Sequence, residues 1–229
     1  CQKKYEYKYV YNMPEAKVVS WEAIMLGSFI HRILDSGVKN NFSSLKQFED
    51  FAREMHMTKD WEDVDLSETL HLIRVFFERN NKKYNKDSKT EQILKMQLGG
   101  LDFVGFADRI DFSPYGLEII DYKTGRGNVS VKARDWQLGY YALAASSFGH
   151  VKKITLDMLK HERPLEFSLD DKGNAKPVHS TRMQGFNIYD VERELIKTAQ
   201  EILNAYQNGF KPCTIEKNCE FCNEWVHRL

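Results

Sequence analysis

Apolar residues recur at helical spacing over residues 18–39, where Ile24, Phe29, Ile30, Ile33 and Leu34 fall on one stripe. The same spacing predicts two further helices. One covers 43–57, with Leu45, Phe48 and Phe51; the other covers about 64–85, with Leu66, Leu70, Ile73, Phe76 and Phe77. The polar run NNKKYNKDSKT at 80–90 reads as a solvated linker. Beyond it the period changes. Residues 92–98, 101–112 and 115–123 alternate or run apolar, with turn signals at Gly99-Gly100 and Ser113-Pro114-Tyr115-Gly116, which predicts a meander of three strands. Helical composition returns at 132–148, and two more strands are expected within 151–168. A polar loop then runs to about 185, before an amphipathic helix at 188–208.

Composition narrows the class without choosing the function. At 229 residues and 42% apolar, the chain can bury the core of one α/β unit with a helical elaboration. Its 33 basic and 33 acidic residues cancel, so any nucleic-acid surface must come from local segregation of charge. No run approaches the roughly 18 apolar residues that span a membrane, and no secretory leader is visible, so a cytoplasmic protein is expected. The start at Cys1 rather than Met reads as an excised domain or a processed form. Four cysteines stand at 1, 213, 219 and 222, the last three as C-x5-C-x2-C. In a reducing setting such a cluster is metal-binding more often than disulfide-bonded, and four thiolates suit either an iron–sulfur cluster or zinc.

Candidate chemistry concentrates around the stretch LEIIDYKTG, 117–125. On a strand, Leu117, Ile119, Asp121 and Lys123 share one face, while Glu118, Ile120 and Tyr122 share the other. Taken alone, an acid and a lysine at a strand end make an ion pair. Their neighbourhood says more. The preceding strand carries Asp108 and Asp111 on opposite faces, so only one of them shares a site with Asp121; Asp111 reads as a structural partner of Arg109. His31 lies within the first helix, and Gln137 and Tyr141 are one helical turn apart. Two carboxylates, a histidine and a lysine are what metal-dependent phosphodiester hydrolysis requires. Mg²⁺ takes oxygen ligands at about 2.1 Å and keeps several waters, the bound ion acidifies water, and a lysine offsets charge on the phosphate. Arg126, Lys132 and Arg134 are candidates for phosphate contacts, and Trp136 or Tyr140 for base stacking, although burial is the commoner fate of such aromatics.

The blocks GFADRID, LEIIDYKTG and QLGYYALA, in this order and preceded by Gly27-x-x-x-His31, resemble the core of the PD-(D/E)XK nuclease superfamily, in particular its RecB-like branch of AddB-type and CRISPR-adaptation exonucleases. The resemblance spans residues 1 to 222. It implies an α/β fold with a restriction-endonuclease-like core: a central mixed β-sheet flanked by helices, with an N-terminal helical elaboration. The single domain 1–229 would divide into a helical part (1–90), a catalytic sheet core (91–185) and a C-terminal helix with the cysteine cluster (186–229).

The implied activity is that of a Mg²⁺- or Mn²⁺-dependent exonuclease acting on DNA ends or single strands in recombination or repair. A helicase or recombination partner and oligomerisation both occur in the branch. Carried over by motif, Asp108, Asp121 and Lys123 would be catalytic, and His31, Asp108, Asp121 and the Tyr122 carbonyl would hold metal. Gln137 and Tyr141 would contact DNA beside the active site, and Cys1, Cys213, Cys219 and Cys222 would hold a [4Fe–4S] cluster, with Zn²⁺ as the alternative. Two departures stand out. Gln2 occupies a position where proline is common, and the late cysteine spacings are reversed relative to the branch, with Arg228 in the slot beyond Cys222. Two other readings use the same residues: a catalytically silent DNA-binding or assembly module on this fold, and a zinc scaffold in which Asp121 and Lys123 are only an ion pair.

Overall fold

A computed structural model describes residues 1–13, 20–81, 83–127, 129–180 and 182–212; Cys213, Cys219 and Cys222 lie outside them. Two compact units are distinguished, one of residues 20–193 and one of 1–19 with 194–229.

In the larger unit, three helices precede the sheet. α2 spans Trp21–Lys39, α3 Leu45–His56 and α4 Leu66–Asn80; α1 (Gln2–Tyr5) belongs to the smaller unit. Each starts at a side-chain cap: Ser20 accepts from Ala23 N, Ser44 forms a reciprocal capping box with Gln47, and Asp65 accepts from Glu68 N. Their apolar faces meet in a cluster built on Phe29, Ile30, Ile33, Phe48, Leu72, Ile73 and Phe76, to which the sheet adds Ile120 and Tyr122. Each such side chain contributes about 1.5–3 kcal/mol by leaving water. Two stripe positions differ from expectation. Ile24 is 46% exposed, because the first turn of α2 runs past the core that begins at Leu26, and Leu72 rather than Leu70 is the fully buried leucine of α4.

The sheet has seven strands in sequential order: β1 (Lys89–Leu98), β2 (Leu101–Ser113), β3 (Gly116–Lys123), β4 (Val151–Met158), β5 (Leu165–Leu169), β6 (Asn174–Pro177) and β7 (Phe186–Asn187). All neighbours are antiparallel except β3 and β4, which are joined by α5 (Val131–Ala145) and run parallel. The sheet is therefore mixed, as the α/β expectation required. β1 begins inside the expected linker, and the expected polar loop to 185 contains β6. That strand lies near the sheet edge and buries only Ala175 of its four residues, so it lacks the apolar alternation that marks a strand in sequence.

Opposite the helical cluster, α5 packs on the β1–β2 hairpin. Tyr140 donates from its hydroxyl to Leu94 O at 2.8 Å, and a Cβ at Gly105 would come within 2.4 Å of the Tyr140 ring, so only glycine admits that ring. Trp136 is half-buried, and Tyr140 is thus a packing residue.

One irregularity of the sheet positions everything that follows. β1 pairs with β2 at Thr90–Arg109 and again at Gln92–Ala107, but Glu91 and Asp108 between them do not pair, and Glu91 has φ +46°. Arg109 points toward α4, where it bonds Asn80, whereas Gly105 points at α5. Residues four apart on an uninterrupted strand share a face. The break at Glu91 and Asp108 therefore turns the ladder over. β2 also parts from β3 there: its last pair is Arg109–Ile120.

The smaller unit contains α1 (Gln2–Tyr5), a wider helical turn at Glu6–Val10, and most of α6 (Ile188–Asn208). Its two chain segments are joined by Lys211 N donating to Gln2 Oε1 at 2.8 Å and by Tyr5 stacking on Phe210 at 6.1 Å.

Candidate active site

Where β2 leaves β3, the Tyr122 N–H loses its strand partner, and the Asp108 carboxylate takes that place, with Oδ2 accepting at 2.6 Å. The other oxygen, Oδ1, lies 3.2 Å from His31 Nδ1. His31 is brought there by α2, which passes close to the end of β3. A Cβ at Gly27 would sit 3.2 Å from Thr124 Oγ1, and His31 is one helical turn further on the same face. Burial alone would lower the His31 pKa. The hydrogen bond and charge of Asp108, then the charges of Asp121 and Glu91, outweigh it and raise the value.

Asp121 and Lys123 project together from β3, as the alternation predicted, with Lys123 Nζ 2.6 Å from Asp121 Oδ2. Asp121 is 2% exposed. Its Oδ1 accepts from Gln137 Nε2 at 2.8 Å and lies 3.4 Å from the Tyr141 hydroxyl, while Gln137 also donates to Tyr141 at 2.9 Å. The Oδ2 atom is engaged by the Lys123 ammonium in that ion pair. Burial, and then the charge of Asp108, push Asp121 up to about 6 against the opposing pull of Lys123. Tyr141 is raised by burial and by Asp121. Gln137 and Tyr141 thus orient the Asp121 carboxylate from α5.

The structure adds one residue that the sequence reading did not select. Glu91 brings its carboxylate to His31 and Asp108, and one ligand atom from each of the three lies within 4.8 Å of the others. The surrounding protein, then Asp108, raises the Glu91 pKa. No local signal marks Glu91, since it joins the group through an irregular ladder and not through a motif.

The donors present, carboxylate oxygens with one imidazole nitrogen and no thiolate, suit a hard divalent cation such as Mg²⁺ or Mn²⁺.

Other candidates lie elsewhere. Asp111 accepts from Arg109 at 3.1 Å and from Ser88 at 2.7 Å, as a structural pair. Glu118 accepts from Thr155 at 2.7 Å, away from Asp121. Arg134 is not a phosphate contact: it is buried, bonded to Asp135 and to Gln184 O, and laid over the Phe167 ring. Lys132 lies over the Trp136 ring at 4.5 Å, and Arg126 is exposed. Cys1 is exposed, and the three cysteines proposed to join it fall outside the described residues. Among the described residues no helix is long and apolar enough to cross a membrane.

Comparison with known proteins identifies the site's family. The sequence model of the PD-(D/E)XK nuclease superfamily matches residues 1–225. No curated protein matches the chain. Among solved structures, 14 chains match. One is a "Putative exonuclease" from Eubacterium rectale, at 16% identity and a TM-score of 0.47, covering 96% of this chain and 80% of that one. Another is SSO0001, at 16% identity and a TM-score of 0.35, covering 87% of this chain and 84% of that one. On the family match, the chain belongs to the PD-(D/E)XK nuclease superfamily.

Proposed function

We propose that this superfamily member is a Mg²⁺- or Mn²⁺-dependent deoxyribonuclease that acts as an exonuclease on DNA ends or single strands, in recombination, repair or related DNA processing. The observation that carries the reading is the convergence at the end of β3 of buried Asp121, paired with Lys123 at 2.6 Å, and Asp108, which lies close enough to bear on Asp121 by its charge and meets His31 at 3.2 Å.

In this reading Asp108, Asp121 and His31 hold the divalent ion, with the Tyr122 carbonyl as a further ligand. When bound, the ion offsets the charge of the attacked phosphate and acidifies water. Lys123, as a compact cation at the same strand end, attracts the phosphodiester and helps to carry the negative charge that develops on it. Gln137 holds Asp121 by donating to Oδ1, which keeps Oδ2 directed away from α5. Gln137 and Tyr141 also present polar groups to the strand that would lie beside them. Arg126 is the exposed cation nearest in sequence to Lys123 and a candidate for backbone contact.

The cysteines form a separate proposal: Cys1, Cys213, Cys219 and Cys222 hold a [4Fe–4S] cluster that ties the ends of the chain, with zinc as the alternative. It is supported by the meeting of Gln2 with Lys211 and of Tyr5 with Phe210, each partner lying close in sequence to a cysteine. Anaerobically purified protein should contain iron and sulfide and absorb broadly in the visible; zinc alone would select the alternative.

The nuclease reading is tested with end-labelled single- and double-stranded DNA in Mg²⁺ or Mn²⁺, comparing the native protein with Lys123→Ala. Cleavage by the native protein alone is expected, with mononucleotides or short products released from the labelled end. DNA left intact but bound in a salt-sensitive manner would replace the enzyme with a silent DNA-binding module.

A further inference from the structure

We infer that Glu91 is itself a metal ligand, and that His31, Glu91 and Asp108 hold one divalent cation between them. The inference rests on the metal-dependent part of the reading above and extends it to a residue from a different strand.

The geometry is that of a three-donor site. His31 Nδ1 and Asp108 Oδ1 are 3.2 Å apart, the separation expected of adjacent ligands on an ion with bonds near 2.1 Å, and a Glu91 oxygen completes a set within 4.8 Å. The three donors come from α2, β1 and β2, so no one of them is placed by local sequence alone.

Three features make a purely structural role for Glu91 unattractive. Among the described residues its carboxylate, which is exposed to solvent, has no hydrogen bond and no ion pair, and the side chain stands next to Asp108, another carboxylate. Its backbone has φ +46°, a region that costs a non-glycine residue about 1 kcal/mol or more. In addition, the buried Asp121 carboxylate lies close enough to Asp108 for their like charges to act on each other, so a third acid bears on the same group. Like charges gathered there repel one another, and a divalent cation between them would more than offset that repulsion. Lys39, whose charge also bears on Glu91, is itself paired with Asp35 at 2.8 Å.

The test separates ligation from electrostatics and does not depend on cleavage. Mn²⁺ binding to the full chain is measured by calorimetry or electron paramagnetic resonance for the native protein, Glu91→Gln and Glu91→Cys, with Lys95→Cys as a control on the same strand. Glu91→Gln keeps the shape and removes the charge, and Mn²⁺ affinity should fall at least tenfold while the metal-free unfolding midpoint is unchanged or higher. Glu91→Cys should shift preference from Mn²⁺ to Cd²⁺ and show a thiolate-to-cadmium charge-transfer absorption exceeding that of Lys95→Cys. Native Mn²⁺ affinity in Glu91→Gln, or no cadmium signal above the control in Glu91→Cys, would overturn the inference. Either result would leave the nuclease reading to stand or fall on its own DNA assay.

Discussion

Two charged regions meet on β2 and β3 and are built on opposite plans. In the first, Arg109 is 1% exposed and every direction of its guanidinium is used: Nη1 donates to the Tyr122 hydroxyl at 2.5 Å, Nη2 to Asn80 at 2.8 Å and Nε to Asp111 at 3.1 Å. The network continues through Asn80 to Asp157, which Arg79 meets at 2.6 Å. In the second, one residue away along β2, Asp108 faces His31 and Glu91, and neighbouring Asp121 is buried and paired with Lys123 at 2.6 Å. The first region balances buried charge at the point where α4 meets the sheet. The second gathers three carboxylates, Glu91, Asp108 and Asp121, around one histidine and one lysine where β2 and β3 part. Both are polar, but the first centres on fully buried Arg109, whereas in the second only Asp121 is buried, His31 and Asp108 are partly buried and Glu91 is exposed. The second also has more acids than cations.

Substitutions should therefore act oppositely in the two regions. The largest effect is expected for Arg109→Met. It leaves Asp111 and Asn80 without their partner, and breaking such a buried network costs about 3–5 kcal/mol; a urea midpoint that moves by less than 1 kcal/mol equivalent would break the comparison. Next comes Lys123→Ala, for which initial rates on labelled DNA should fall about 10²–10³-fold, with a smaller change in urea midpoint than for Arg109→Met.

Asp121→Asn should lose cleavage as well, yet in metal-free solution it should stabilise the fold by about 1–3 kcal/mol at pH 7. The sign follows from the raised value of about 6 in the folded protein against 3.8 for the ordinary carboxylate. Between those values the folded protein binds the proton more tightly than the unfolded chain, so native stability falls as pH rises. Above about 6 the deficit is constant, and toward pH 4 the advantage of the asparagine variant should vanish in urea titrations. Saturating Mn²⁺ should reverse the order, since a hundredfold excess over Kd adds about 2.7 kcal/mol to a protein that binds it.

The smallest effect sharpens the comparison. Gln137→Ala removes one hydrogen bond, of about 1 kcal/mol, from the ionised form of Asp121. The rate should drop several-fold, and the acid limb of its pH profile should move to higher pH; an unmoved limb would show that Gln137 does not act through Asp121.

What the sequence determined by itself was local. Helical and alternating periods placed α2 to α6 and the meander β1–β3 within a few residues, since each depends on neighbours three, four or two positions away. The same alternation put Asp121 with Lys123 and separated both from Tyr122, and the helical turn put Gln137 with Tyr141. Tertiary structure decided what depends on distant partners. Arg134 carries a charge that suits phosphate, but it is buried against Phe167. β6 is a strand only because β5 and β7 pair with it. Glu91 enters the site where the β1–β2 ladder leaves it and Asp108 unpaired and its backbone takes φ +46°, which no residue pattern within either strand announces.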